Sequence, residues 1–220
     1  MSASTESLQQ RLNATLPTAR IEVVELPDVA NLKLGLINED FSTEPLAQEV
    51  MRKVIAKPAY WAFCWGSGLA SALWLQANAH KVEGKTIADV GCGSGVVAIA
   101  AALAGAKTVY ACDIDDDALL ATKTNAKLNN TDIKLCSHID QLPDKLDQIW
   151  MADVLYDRAN LPLIEQVKGK APSIMISDSR VRDLEDPDFH VVGHAEALTY
   201  PNLGEFDEFR VVNFFEYRRR

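Results

Sequence analysis

Short apolar runs alternate with helix-like segments over the second half of the chain. Five of these runs have the length of buried strands and lie at residues 85–90, 107–112, 132–137, 147–151 and 171–176. Between the first two runs, the alanine-rich residues 96–104 favour a helix. Strands that alternate with helices in this way predict a parallel sheet with helices on both faces.

The N-terminal residues follow a different pattern. Residues 4–16 predict an amphipathic helix with three leucines on one side. Residues 20–26 and 32–37 alternate apolar and polar positions, which predicts a hairpin. A second helix is expected to have Pro45 near its first turn and to end before Pro58.

The C-terminal residues lack the helical pattern. Residues 189–197 and 209–217 are strand-like, so they are expected to pair antiparallel at one edge of the sheet. The predicted fold class is therefore α/β, a Rossmann-like sheet of seven strands that is mostly parallel, with an antiparallel C-terminal edge hairpin and helices on both faces. We expect residues 1–80 to form a helical and hairpin extension that caps a compact core at residues 81–220.

Composition and charge narrow the classes of function. The 220 residues are 48% hydrophobic and 24% charged, as in a soluble globular protein. The first 16 residues lack the pattern of a signal peptide, so a cytoplasmic location without a membrane partner is expected. The formal charge of −9 disfavours nucleic acid as a partner and favours a cationic one. The four cysteines and four histidines show no metal-ligand spacing, so no metal is expected and the histidines receive no role.

A glycine-rich turn follows the first strand of the alternating region. Gly91, Gly93 and Gly95 separate this strand from its helix, and Asp113 ends the next strand, 22 residues after the first glycine. In that order, backbone N–H groups and a helix N-terminus face a ligand that can approach the backbone closely. A carboxylate at the end of the second strand can accept hydrogen bonds from two ribose hydroxyls. These residues predict a pocket for a nucleoside cofactor.

The glycine spacing bears on which cofactor this is. The dinucleotide motif is G-x-G-x-x-G, whereas here the third glycine is Gly95 and position 96 is valine, which weakens the case for a dehydrogenase. Taken singly, each glycine could be an ordinary turn residue, and Asp113 could be a helix N-terminal acid. Ligands of open α/β sheets bind beyond the carboxyl ends of the strands, where further acids lie at Asp140, Asp153 and Asp178.

A G-x-G-x-G turn followed by an acid at the end of the second strand resembles the class I S-adenosylmethionine-dependent methyltransferases. The resemblance implies S-adenosylmethionine as the cofactor and a seven-strand methyltransferase sheet. It places the glycines beside the methionyl part of the cofactor, Asp113 on the ribose, Ile114 on the adenine face and Asp140 at the adenine amino group. The expected cofactor-binding residues are Trp65, Asp89, Gly91, Cys92, Gly93, Gly95, Asp113, Ile114 and Asp140.

Two further stretches extend the resemblance. The aromatic segment at residues 58–68 and the Asp-x-x-Tyr sequence from Asp153 to Tyr156 look like the protein-lysine methyltransferases called methyltransferase family 16. Within that family they are similar to the enzymes that methylate the electron transfer flavoprotein β subunit. Gly66 stands where the family pattern usually has proline. The implied partner is a protein that presents a lysine, with the electron transfer flavoprotein β subunit as a candidate.

The same resemblance implies roles at the methyl acceptor. Asp153 would orient the incoming ammonium and Tyr156 would wall the channel, so both are expected to be catalytic. Trp61 and Asp157 are expected to contact the substrate. A ring such as that of Trp65 can cover the cofactor and attract a cation.

Three hypotheses of function follow from these residues. The leading hypothesis is a protein-lysine N-methyltransferase. A small-molecule N-methyltransferase acting on a pyridine or an amine would use the same pocket behind a more closed lid. A binding module without turnover would hold S-adenosylmethionine but would have no use for Asp153 and Tyr156.

Overall fold

Two helices and a hairpin form the N-terminal part of the protein. The computed structural model describes residues 3–218, with side chains from residue 5. The first elements are α1 (Ala3–Thr15), β1 (Ile21–Glu25), β2 (Lys33–Ile37) and α2 (Gln48–Ala56). The two strands pair antiparallel, as the alternating pattern predicts. The expected start of the second helix is wrong, because α2 begins at Gln48 and Pro45 lies in the non-helical segment before it.

The core alternates strands and helices. Its elements are α3 (Gly66–Ala77), β3 (Thr86–Val90), α4 (Val96–Leu103), β4 (Thr108–Cys112), α5 (Asp116–Leu128), β5 (Ile133–Cys136), β6 (Gln148–Ala152), α6 (Pro162–Lys168), β7 (Ser173–Asp178), β8 (Phe189–Glu196) and β9 (Val211–Arg218). The seven strands lie in the order β5-β4-β3-β6-β7-β9-β8. β3 to β7 run parallel, and β9 is antiparallel to both β7 and β8. The predicted fold class is confirmed.

The strand order places a crevice at the middle of the sheet. β3 pairs with β4 on one side and with β6 on the other, so the connections after these strands leave in opposite directions. In open α/β sheets this reversal of strand order leaves a crevice at the carboxyl ends of the strands, where ligands bind. The glycine-rich turn follows β3 at this point.

Apolar side chains bury both faces of the sheet. Trp150 of β6 is fully buried, and its ring centroid lies 5.2 Å from that of Trp74 on α3. Trp74 therefore belongs to the core. On α1, Leu8 and Leu12 are fully buried in a separate apolar cluster that includes Ala121 of α5. The N-terminal part is thereby anchored to the helix that follows Asp113, while its role as a cap for the core stays a prediction.

None of the helices within residues 3–218 is long and apolar enough to cross a membrane. Over the same part of the chain, no group of three or more His, Cys, Asp or Glu side chains is placed to hold a metal ion.

Candidate functional site

A cavity opens at the carboxyl ends of β3, β4 and β6. Its volume of about 490 Å³ lies in the range of small-molecule sites. Nine of the residues that the sequence singles out are among those that line the cavity: Trp61, Trp65, Gly91, Gly93, Asp113, Ile114, Asp140, Asp153 and Tyr156. The cavity therefore joins the glycine turn to the Asp-x-x-Tyr sequence.

The glycine turn presents bare backbone to this cavity. Gly91, Gly93 and Gly95 have φ angles of 78°, 51° and 81°, in the left-handed region that favours glycine. A Cβ atom at Gly91 would lie 2.6 Å from Val154, and one at Gly95 would lie 2.8 Å from Thr122. A Cβ atom at Gly93 would have nothing within 4 Å, although this residue lines the cavity. The turn thus packs tightly behind its first and third glycines and leaves open space in front of the second.

Asp113 links the glycine turn to the segment that follows β4. Its Oδ2 accepts a hydrogen bond from the Gly93 N–H and its Oδ1 accepts one from the Asp115 N–H, both at 3.0 Å. Desolvation raises the pKa of Asp113, and these two hydrogen bonds oppose that shift. The N-cap of α5 is Asp115, whose side chain accepts from the Asp117 N–H. Asp113 is therefore free of the capping role, and its carboxylate oxygens keep further lone pairs for a ligand.

Four of the expected site residues lie outside the cavity lining. Asp89 is buried and accepts a hydrogen bond from the Ala98 N–H at 3.0 Å, and desolvation raises its pKa to about 7. Cys92 is buried, and Gly95 is the N-cap of α4. Asp157 is exposed and caps a short 3₁₀ turn that follows it. Asp89, Cys92 and Gly95 thus lie in or beside the glycine turn, whereas Asp157 lies on the surface.

Asp153 lines the cavity just after β6. Its backbone has a φ of 50°, a conformation that aspartate and asparagine adopt more readily than most residues. The carboxylate accepts two hydrogen bonds from Ser67, one from Oγ at 2.6 Å and one from the backbone N–H at 2.8 Å. Desolvation raises the pKa of Asp153 to about 6; Ser67 and Arg180 oppose this shift, and Asp178 adds to it. The group is therefore mostly ionised at neutral pH.

Aromatic rings wall the cavity near its mouth. The Tyr60 ring lies 5.7 Å from the rings of both Trp65 and Tyr156, in edge-to-face contacts. Tyr60 and Tyr156 are 46% and 49% exposed, so each ring is accessible from solvent. Trp61 is 2% exposed, and its ring belongs to the apolar cluster beneath α1. Accessible aromatic faces of this kind attract cations.

Sequence reasoning missed several polar groups at the cavity. His138, Asn160 and Arg180 line it, although the sequence gave none of them a role. The guanidinium of Arg180 lies 4.4 Å from the ring centroid of Phe209. Ser67, which holds Asp153, was likewise missed. The sequence does carry a signal for Arg180, because this residue follows Asp178 at the end of a predicted strand. Nothing near Ser67 in the sequence points to Asp153, which lies 86 positions away.

Comparisons with known proteins bear on this cavity. Residues 61–168 match the family model described as ribosomal protein L11 methyltransferase (PrmA). The chain is 43% identical over 103 residues to the electron transfer flavoprotein beta subunit lysine methyltransferase of Danio rerio, covering 46% of this chain and 40% of that protein. It is 37% identical over 152 residues to the ribosomal protein L11 methyltransferase of Acinetobacter baumannii (strain SDF), covering 67% of this chain and 47% of that protein. The chain thus spans less than half the length of either relative.

A solved structure shares this fold. The ribosomal protein L11 methylase from Lactobacillus delbrueckii subsp. bulgaricus aligns with a TM-score of 0.54 at 26% identity, over 70% of this chain and 79% of that chain. This alignment covers a larger share of the chain than residues 61–168 do.

Proposed function

Because this chain belongs to the class I S-adenosylmethionine-dependent methyltransferases, we propose that it transfers a methyl group from S-adenosylmethionine to a lysine side chain of a protein. The observation that carries the proposal is the placement of the Asp153 carboxylate and two accessible tyrosine rings on the same cavity as the glycine turn. One relative is named for methylation of a lysine and the other for methylation of a ribosomal protein. Both names describe methyl transfer to a protein.

The glycine turn and Asp113 fit the cofactor. The open space at Gly93 lets a ligand approach the backbone, and the remaining lone pairs of Asp113 suit ribose hydroxyls. Ile114, which is 84% exposed, and Asp140 line the same part of the cavity and would lie against the adenine. When bound, S-adenosylmethionine would supply a methyl group on a positively charged sulfur: an amine nitrogen would bond to the methyl carbon, and the sulfur would leave with the electron pair of the broken carbon–sulfur bond.

Asp153 would orient the amine that enters the cavity. A lysine ammonium has a pKa of about 10.4, so it must lose a proton before its nitrogen can act as a nucleophile. The carboxylate oxygens of Asp153 keep lone pairs beyond those that Ser67 occupies, and these can accept hydrogen bonds from the ammonium. With a pKa of about 6, Asp153 is too weak a base to keep the proton, so the proton passes on to solvent.

The mouth of the cavity favours a side chain over a free metabolite. Tyr60, Ile114 and Tyr156 are each exposed to solvent by nearly half or more, so the site is open rather than sealed by a lid. A long cationic side chain can reach past the two tyrosine rings into the cavity while its backbone stays outside. The formal charge of −9 favours encounter with a basic protein surface.

The first experiment is incubation of the purified protein with methyl-labelled S-adenosylmethionine and a heat-treated bacterial lysate. The reaction is separated into protein and small-molecule fractions, and purified electron transfer flavoprotein β subunit and ribosomal protein L11 are tested in parallel. An Asp113→Ala variant, which we expect to lose cofactor binding, serves as the blank. A discrete labelled band whose label maps to lysine by mass spectrometry is the expected result.

The other outcomes separate the remaining hypotheses. Label confined to the small-molecule fraction would replace the protein acceptor with an amine or pyridine metabolite. Cofactor binding by calorimetry without any labelled product would favour a module without turnover. Cofactor binding that survives Asp113→Ala would count against the assignment of Asp113 to the ribose.

A further inference from the structure

Ser67 is the second residue of α3 and contacts the cavity only through Asp153. The serine is fully buried, yet both of its hydrogen-bond donors end on one carboxylate. The Oγ–Oδ1 distance is 2.6 Å and the N–Oδ2 distance is 2.8 Å. Hydrogen bonds to an ionised acceptor are shorter and stronger than neutral ones, and two of them to separate oxygens fix the orientation of the carboxylate.

Ser177 contacts the backbone of both Ser67 and Asp153. The Asp153 N–H donates to the Ser177 carbonyl at 3.0 Å, and the Ser177 hydroxyl lies 3.4 Å from the Ser67 carbonyl oxygen. The Ser177 hydroxyl also lies 2.7 Å from that of Ser71, one turn farther along α3. The start of α3, the end of β7 and the turn after β6 are thus joined by polar contacts that reach both ends of the Ser67–Asp153 pair.

Three other titratable groups interact with the Asp153 carboxylate. Asp178, at the end of β7, disfavours its charge, and Arg180 favours it. The thiol of Cys64 stays neutral, because burial raises its pKa well above the ordinary value. Ser67 supplies the hydrogen bonds that offset part of the cost of desolvating the carboxylate.

We propose that Ser67 is a positioning residue for methyl transfer, because its hydroxyl and backbone N–H hold the Asp153 carboxylate in one orientation and leave the remaining lone pairs to the acceptor amine. The inference rests on the proposed role of Asp153. It gives α3 a role beside packing, because this helix also orients the Asp153 carboxylate through Ser67.

The test compares two buried serines of the same helix. Ser67→Ala removes one of the two donors to Asp153, whereas Ser71→Ala removes an equally buried hydroxyl that contacts Ser177 instead. In Ser67→Ala we expect the acid limb of kcat/KM to move to higher pH by about one unit, with a cofactor Kd within about twofold of the wild-type value. In Ser71→Ala the acid limb should stay in place.

A second readout does not depend on the acceptor. Aspartate labelled with ¹³C at Cγ is titrated by NMR in the wild type and both serine variants, and Asp153→Asn identifies the resonance of Asp153. The midpoint of this resonance should rise by about one pH unit in Ser67→Ala and should not move in Ser71→Ala. Ser67→Cys, which keeps a weak donor, should give a smaller rise and replaces Ser67→Ala if that variant fails to fold.

Two results would overturn the inference: an unmoved Asp153 midpoint in Ser67→Ala, or equal shifts in the two serine variants. A midpoint that moves as expected supports the inference even if no acceptor is labelled. In that case it is the lysine assignment that fails, so the two failures can be told apart.

Discussion

The two halves of the cavity are built in different ways. We name the halves after their proposed roles. The cofactor half consists of Gly91, Gly93, Asp113, Ile114 and Asp140, and the acceptor half consists of Tyr60, Asp153, Tyr156 and Arg180. The residues of the cofactor half follow three neighbouring strands within 50 positions, whereas those of the acceptor half span 121 positions and come from both sides of the glycine turn.

The hydrogen bonds that hold Asp113 in the cofactor half come from backbone groups, whereas side-chain contacts also hold the acceptor half. Asp113 binds two backbone N–H groups, and the glycine turn is fixed by its own φ angles. On the acceptor side, Asp153 is held by Ser67 and Tyr156 touches the ring of Tyr60. We therefore expect single side-chain changes in the acceptor half to lower turnover without disturbing cofactor binding.

The largest separation is expected from Asp153→Asn. Asparagine has nearly the same size and also tolerates the left-handed backbone at this position, so the fold should persist. We expect kcat to fall by about 100-fold, because the neutral amide no longer attracts and orients the ammonium, while the cofactor Kd changes by less than about threefold. Labelled methyl transfer and calorimetry on the same preparation measure both quantities. Equal losses in cofactor affinity and in kcat would mean that the two halves of the cavity are not independent.

Asp89→Asn tests the support behind the cofactor half. Burial raises the pKa of Asp89 from 3.8 to about 7, so folding favours the protonated acid. Its contribution to stability is complete below pH 3.8 and is lost as the pH rises to about 7. Asparagine has no such loss, so between pH 5 and 7 the unfolding free energy of the wild type should fall by about 2 kcal/mol more than that of the variant.

Urea unfolding of both proteins at pH 5, 6 and 7 measures this difference. The other carboxyl groups whose pKa is raised, which are those of Asp113, Asp153 and Asp178, are present in both proteins and contribute with the same sign. Parallel stability curves for the two proteins would show that Asp89 is ionised at little cost in the folded state.

The same contrast explains how far the sequence could predict the molecule. Every strand of the large sheet lies within two residues of its predicted ends. The central strands β3, β6 and β7 are buried on both faces, so they stand out as continuous apolar runs. The predicted start of α2 was wrong, because a proline that can open a helix also fits the non-helical segment before one.

The site residues likewise differ in how well the sequence predicts them. The glycine turn and Asp113 form a local motif that a sequence displays directly. Ser67 meets Asp153 only after the sheet has formed, so no local pattern marks it. Asp157 follows Tyr156 directly, yet the chain turns there and the side chain caps the next turn instead of entering the cavity.

Gly93→Ala should affect the cofactor half alone. The added methyl group would project into the open space of the cavity, so we expect the cofactor Kd to rise by at least about tenfold. The φ of 51° also costs about 1 kcal/mol in stability for any residue with a Cβ. Gly84→Ala is the matched control, because Gly84 has a φ of 71°, has nothing within 4 Å of its Cβ position and lies outside the cavity lining.

Calorimetry and thermal unfolding are run on both glycine variants. Similar stability losses with a weakened Kd only in Gly93→Ala would locate the cofactor at this turn. A Kd that is unchanged in Gly93→Ala would show that the cofactor does not approach this part of the backbone.

Tyr156→Phe should have the smallest effect. It tests whether the ring or the hydroxyl of this residue contributes to methyl transfer. Phenylalanine keeps the ring and its contact with Tyr60, and with it the attraction for a cation, but it removes the hydroxyl. If the ring alone guides the amine, kcat/KM should fall by about threefold, mainly through KM, because one exposed hydrogen bond contributes about 0.5–1 kcal/mol. Tyr156→Leu, which removes the ring, should cost more. A loss in kcat of about 100-fold in Tyr156→Phe would instead place the hydroxyl in the reaction itself, and orientation of the amine would then be shared between Tyr156 and Asp153.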